Sequence, residues 1–179
     1  RGLSMAADFD YLVIGGGSGG MASARRAAQY GAKVAVVERS RMGGTCVNVG
    51  CVPKKVMFNA ATVAEYMHEA AEFGFKDVGD FRFDWAEMKR RRDAYVLRLN
   101  GIYENNLKNS DITMIRGEAS LAGGNKVIVG GETYSADHIL VAPGGYPTPL
   151  DVPGGDLVSN SDDFFAAEEQ PRKVAVLGA

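Results

Sequence analysis

The stretch from Asp10 to Gly20, DYLVIGGGSGG, decides the fold. Its first half is a short apolar run and its second half is almost all glycine. An apolar run of this length that stops at glycine reads as a buried strand, residues 10–14. Residues 18–30, SGGMASARRAAQY, are alanine-rich and predict a helix stopped by Gly31. Lys33-Val-Ala-Val-Val37 is a second buried strand, closed by Glu38. Strand, glycine turn, helix and strand within about 30 residues form a βαβ unit, whose parallel strands require helices over the sheet.

The glycines fall at Gly15, Gly17 and Gly20, with Glu38 ending the next strand. Glycine is needed where the turn is tight, where backbone approaches a pyrophosphate, and where helix meets strand. The start of the helix offers N–H groups and a partial positive charge to phosphates. Glu38 is placed to accept hydrogen bonds from ribose hydroxyls. A glycine motif alone is weak, but here strand, helix and acid are all in place. The expectation is an α/β, Rossmann-like dinucleotide-binding domain with a parallel sheet and covering helices. The pattern leaves NAD, NADP and FAD open.

Further along, residues 52–71 are helical in composition. A longer helix is expected over 84–108, with Asp84 and Glu87 as a capping pair. Trp85, Met88, Tyr95, Leu99, Ile102 and Tyr103 recur on it at helical spacing, and all but Tyr103 are taken as core. Lys89-Arg-Arg-Arg92 reads as a solvated face. A strand follows at 111–116. Lys126–Val129 and Glu132–Tyr134 flank Gly130-Gly131 as a hairpin, part of a small antiparallel β-meander. His138–Ala142 is another buried strand, and Ser161 is expected to cap a short helix reaching 169. KVAVLGA, 173–179, repeats the opening pattern and reads as the first strand of a second nucleotide unit. The expected organisation is a tail at 1–7, a dinucleotide-binding domain at 8–171 lacking its returning strand, and that first strand at 172–179.

Composition bounds the function. The net charge of −2 gives no case for nucleic acid or an anionic membrane. No apolar run approaches a membrane span, and RGLSMAADFD lacks the apolar stretch of a signal peptide. Met5 is a candidate first residue, so the beginning is expected to be incomplete. Two cysteines do not make a disulfide-stapled secreted scaffold, which favours an intracellular compartment.

Both cysteines lie in GGTCVNVGCVPKK, residues 43–55. In an ideal α-helix, Cα atoms five residues apart are about 8.7 Å apart, whereas a disulfide wants roughly 4.4–6.8 Å. Cys46 and Cys51 can therefore bridge only if the backbone departs from a regular helix. Gly50 and Pro53 permit that, and Pro53 fits the first turn of the helix that follows. A bridge would close a very short loop, so it is a poor structural staple. Inert buried thiols and a zinc site are the alternatives. For zinc, the two histidines, His68 and His138, lie in unrelated elements and suggest no four-ligand set. A redox pair at a helix start, beside Lys54 and Lys55, is favoured.

GGGSGG, the glutamate ending the second strand, and GGTCVNVGCVPKK together resemble the flavin domain of the pyridine nucleotide-disulfide oxidoreductases. The resemblance spans essentially the whole chain and is strongest to members acting on glutathione disulfide. Lys54 stands where the lipoamide and mercuric members typically carry Ser, and Arg25 matches an arginine that the trypanothione members lack. The resemblance implies FAD as cofactor, with Gly15, Gly17, Ser18, Gly19 and Gly20 at its pyrophosphate and Glu38 at the adenosine ribose. It implies Thr45 and Cys46 lining the flavin, Lys54 near flavin N5, and the Ala119 backbone at the adenine. Cys51 would be the charge-transfer thiol and Cys46 the interchange thiol, while Ser18, Arg25 and Tyr103 would contact glutathione. Taken from the residues alone, Arg25 reads as a surface cation and Tyr103 as a core aromatic. Pro143 departs from the family's usual threonine in Ala142-Pro143-Gly144-Gly145 and is assigned no role.

The activity so implied is NADPH-linked, with reduced flavin opening a Cys46–Cys51 disulfide that then serves glutathione disulfide. In the family the acid–base histidine comes from a partner subunit, so a homodimer is expected and His68 and His138 are structural. A fragment without the NADPH domain is expected to be inactive alone. The compartment implied is cytoplasmic, with the mitochondrion second.

Overall fold

The computed structural model describes residues 7–178; residues 1–6 of the tail expected at 1–7, the candidate start Met5 among them, and the last residue, Ala179, lie outside the described residues. Two compact units are present. One runs up to Asn48 and takes in Leu97–Tyr146; the other comprises Val49–Val96 and the chain from Pro147 onward. No helix among the described residues is long and apolar enough to cross a membrane.

The first unit is built on one six-stranded sheet. Its strands are β1 (Phe9–Ile14), β2 (Val34–Glu38), β3 (Thr113–Arg116), β4 (Ala119–Gly123), β5 (Lys126–Val129) and β6 (Glu132–Val141), in the order β3-β2-β1-β6-β5-β4. The β1–β2, β2–β3 and β1–β6 pairs are parallel; β4–β5 and β5–β6 are antiparallel. This is the expected parallel sheet with its meander. The meander differs in one respect. The stretches 132–134 and 138–142, expected as separate strands, fall, all but Ala142, in one ten-residue strand, Glu132–Val141. Its early part, Glu132–Ser135, pairs with β5, and its later part pairs with β1.

Side chains alternate across this sheet as the two-residue strand period requires. Val13, Val34 and Val36 face one way, packing with Met21 and Ala24 of helix α1 (Ser18–Gln29) and with Met42, Leu107 and Ile112. Leu12, Ala35 and Val37 face the other way, with Phe9, Val127, Val129 and Ala136. Both faces are buried, which explains why β1 and β2 read as near-continuous apolar runs.

Helix α2 (Gly44–Val49) is a short helix that the sequence reading left irregular. It is followed by α3 (Cys51–Glu69) and α4 (Trp85–Asn109). On α4 the expected core line is displaced. Tyr95 and Ile102 are exposed, and the buried positions are Arg92, Val96, Asn100 and Leu107. Arg92 belongs to the run read as solvated, yet its side chain is only 2% exposed. In the second unit its guanidinium donates to Asp93 Oδ1 at 2.7 Å, to the Phe165 carbonyl at 2.6 Å and to Met57 sulfur at 3.2 Å. The last helix, α5 (Ser161–Ala166), is capped by Asn160 and not by Ser161. Asn160 accepts from the amides of Asp162 and Asp163, and Asp163 accepts from the Asn160 amide. The strand expected at 173–177 is not formed, and Val174, Val176 and Leu177 are exposed. A strand needs a ladder partner, and among the described residues none pairs with this segment.

Candidate functional site

Parallel pairing brings the carboxyl ends of β1, β2 and β6 to one edge, with Ile14 opposite both Val37 and Val141. β1 lies between a neighbour reached through α1 and one reached much later in the chain. Crevices at such switch points are where open α/β sheets bind ligands. The loop at this edge is Gly15–Gly20. Gly15 has φ +111°, and a Cβ there would lie 2.0 Å from the Ala142 carbonyl oxygen. A Cβ on Gly20 would lie 1.9 Å from the Gly15 carbonyl oxygen, so this glycine lets helix and strand approach.

The residues present fit a pyrophosphate. Helix α1 starts at Ser18 with no acidic residue in its first turn and no side chain capping it. Ser18 and Gly19 are exposed, and a Cβ on Gly19 would meet nothing within 4 Å. Backbone N–H groups and the helix field therefore face open space, an arrangement suited to an anion. Glu38 sits at the end of β2 with both oxygens engaged. Oε2 accepts from the Gly16 amide at 2.7 Å and Oε1 from the Ser40 amide at 2.7 Å. Each carboxylate oxygen keeps a second lone pair for another donor such as a ribose hydroxyl.

The cysteines follow directly. Thr45 is exposed and Cys46 half-buried on α2; Cys51 is the exposed first residue of α3. No disulfide joins Cys46 and Cys51 in this structure. The helix does not run through. Gly50 has φ −146° and ψ −118°, ending α2 and opening α3. Pro53 falls in the first turn of α3, as expected, and is buried there. Sequence reasoning missed what holds α2 in place. Asn48 donates to the Gly44 and Met42 carbonyls at 2.9 and 3.1 Å, and buried Asn100 donates to the Met42 carbonyl at 2.8 Å and to Asn48 Oδ1 at 3.0 Å. A signal was present in Asn48, a polar residue set between the two cysteines.

Ser18, Arg25 and Tyr103 line one pocket of about 430 Å³ in the first unit, together with Arg26, Gln29 and Asn106. Arg25 and Arg26 are exposed there, and Tyr103 packs partly against the core. Asn106 is another lining residue the sequence reading did not single out, although it stands one helical turn beyond Tyr103.

The other candidates are not among the residues lining this pocket. Ala119 opens β4 and is half-buried. Lys54 is exposed on α3 in the second unit, lining an apolar groove of about 640 Å³ with Phe58, His68, Phe83, Trp85 and Phe164. His68 packs on the Phe81 ring at 4.7 Å, and His138 is exposed on β6. Pro143 follows β6, and its Cα would be 3.4 Å from a Cβ on Gly15.

The sequence profile of the family described as "Pyridine nucleotide-disulphide oxidoreductase" matches residues 9–179. The chain is 51% identical to a glutathione reductase of Schizosaccharomyces pombe, covering 96% of this chain and 39% of that protein. Against a glutathione reductase of Yarrowia lipolytica it is 52% identical, covering 95% and 39%. Against one of Debaryomyces hansenii it is 47% identical, covering 96% and 41%. The chain thus spans about two fifths of the length of these curated relatives.

Proposed function

The chain belongs to the pyridine nucleotide-disulphide oxidoreductase family, and we propose that it forms the FAD-binding part of an NADPH-linked enzyme reducing glutathione disulfide through Cys46 and Cys51. One observation carries the substrate: Ser18, Arg25 and Tyr103 share a single pocket with Arg26. A pocket with two guanidinium groups suits the carboxylates of a glutathione and disfavours a cationic linker.

The chain's residues divide the work. The glycine loop and the amides at Ser18 and Gly19 hold the cofactor pyrophosphate, Glu38 the adenosine ribose, and the Ala119 backbone the adenine. Thr45, Cys46 and Lys54 line the flavin. When bound, the flavin supplies the two-electron step between NADPH and the cysteine pair.

With both cysteines reduced, the Cys46 thiolate attacks one sulfur of glutathione disulfide. One glutathione leaves as thiolate, and the other stays joined to Cys46. The Cys51 thiolate then attacks the Cys46 sulfur, releasing the second glutathione and closing a Cys46–Cys51 disulfide. Arg25 and Tyr103 orient the substrate during both exchanges. Protonation of the leaving thiolates falls to a histidine from a partner subunit, which makes a homodimer part of the proposal. A cytoplasmic compartment suits such a thiol cycle.

The test is a trapping experiment on the reduced protein mixed with glutathione disulfide. Cys51→Ser should accumulate one glutathione on Cys46, identified by peptide mass. Cys46→Ser should accumulate far less on Cys51. Equal modification of Cys51 in the second variant would overturn the assignment of attacking and resolving thiols.

A further inference from the structure

We propose that Asn100, acting with Asn48, is a positioning residue for Cys46; the inference rests on reading Cys46 and Cys51 as a thiol–disulfide couple. Helix α2 has six residues, too few to hold its own conformation or place. Its position in the first unit has to come from the contacts its side chains make.

Val47 is buried, and Asn48, two residues beyond Cys46, adds polar contacts. Its amide nitrogen reaches the Gly44 carbonyl at 2.9 Å and the Met42 carbonyl at 3.1 Å. Asn100, on α4, donates to that same Met42 carbonyl at 2.8 Å and to Asn48 Oδ1 at 3.0 Å. The Met42 oxygen therefore takes two donors, one for each lone pair. Asn100 is 8% exposed and shares the buried line of α4 with Leu107, where an apolar residue would serve packing alone. A buried amide costs free energy unless its hydrogen bonds are met, and here they are met by the segment that carries Cys46.

The same segment is seated on the glycine loop. The Gly43 amide donates to the Gly16 carbonyl at 2.8 Å. A Cβ on Gly16 would lie 2.5 Å from the Met42 sulfur, and one on Gly44 would lie 2.8 Å from Gly17 Cα. Two asparagine amides thus fasten α2, and Cys46 with it, between α4 and the cofactor loop.

The consequence is thermodynamic. In exchange with glutathione, the two protein thiols become a disulfide while one glutathione disulfide becomes two glutathione molecules. Closing that ring removes whatever conformational freedom the dithiol segment still has. A fastened α2 has little to lose, and a released one has more. Removing the amides should therefore move the equilibrium toward the dithiol.

The experiment equilibrates the protein in mixtures of glutathione and glutathione disulfide, quenches with acid, alkylates, and counts oxidised pairs by mass. Wild type should form the intrachain disulfide reversibly. Asn100→Leu should lower the equilibrium constant for disulfide formation at least about threefold, and Asn48→Ala, at a half-buried position, should shift it the same way. Should Asn100→Leu fail to fold, Asn48→Ala carries the test. Val127→Ala, in the core on the opposite face of the sheet, should lower thermal stability and leave the equilibrium unchanged. If wild type forms the disulfide but both asparagine variants keep its equilibrium constant, or Val127→Ala moves it as much, the positioning role is wrong. A wild-type protein that forms no reversible disulfide would overturn the reading of the couple, and the inference with it.

Discussion

The Gly16 amide donates to Glu38 Oε2 at 2.7 Å, tying the middle of the glycine loop to the end of the neighbouring strand. The other oxygen of Glu38 is taken by the Ser40 amide at 2.7 Å. Glu38 is thus a brace for the cofactor loop as well as a candidate partner for a ribose. The isosteric change Glu38→Gln separates these roles poorly but informatively. Its amide nitrogen would have to face either the Gly16 or the Ser40 N–H, donor against donor. A loss of about 1–3 kcal/mol is expected from the unmet amide, read by denaturant unfolding, together with weaker FAD binding. Unchanged stability would mean that the loop holds itself without Glu38.

Arg92 yields the second prediction. Its buried guanidinium serves Asp93, the Phe165 carbonyl and Met57 together. Burial pulls the Asp93 carboxyl up, but hydrogen bonds from Arg92 and Lys89 outweigh it and hold the group below the usual carboxylate range. Arg92→Met should cost about 2–3 kcal/mol, less than a fully buried pair because Asp93 remains half exposed. Arg92→Lys should rescue little, since one ammonium cannot reproduce the fork. Chemical denaturation of both variants reads the difference.

Glu87 predicts a pH dependence. Hydrogen bonds from Arg90, then Arg91, lower its carboxyl from 4.5 to about 2. A folded-state value below the unfolded one makes a contribution present above 4.5 and lost as pH falls toward 2. The difference in Tm between wild type and Glu87→Gln should therefore be open at neutral pH and close between pH 4.5 and 2. Glu87 is solvent-facing, so the gap should be small and should shrink with added salt. A gap that persists at pH 2 would assign it to packing.

Arg25 tests the pocket. A charge-assisted bond to a carboxylate contributes about 1.5–3 kcal/mol, so Arg25→Ala should slow trapping of glutathione on Cys46 in the Cys51→Ser background by roughly 10–100-fold. In a full-length reductase carrying this segment, the loss should appear mainly in KM. An unchanged trapping rate would return Arg25 to a surface cation.

Much of this architecture was readable because its causes are local. Gly20 is demanded by the Gly15 carbonyl five residues away, and the runs of β1 and β2 need only burial on both faces. The break at Gly50 and the place of Pro53 were also local matters. What escaped depends on distant partners. Arg92 looked like one more cation in KRRR until Phe165 and Met57 supplied acceptors from other elements. Asn100 passed unnoticed because Met42 and Asn48, its partners, are more than fifty positions away. The continuity of β6 was hidden because its two stretches have different neighbours, β5 and β1, and so different patterns of apolar residues. Asn160 took the cap expected of Ser161 because its β-region backbone and the matching Asp163 complete the box.

A chain of this kind should bring a flavin and a redox-active thiol together. The direct measurement is the visible spectrum of the protein titrated with FAD and then reduced by two electrons. Saturable binding of one FAD per chain is expected and, on two-electron reduction of the wild type, a long-wavelength absorption that Cys51→Ser lacks in every state; Cys46→Ser, with no disulfide to take up electrons, should show it before reduction, while its flavin is still oxidised. Absence of saturable FAD binding, or a long-wavelength band indifferent to Cys51, would contradict this expectation.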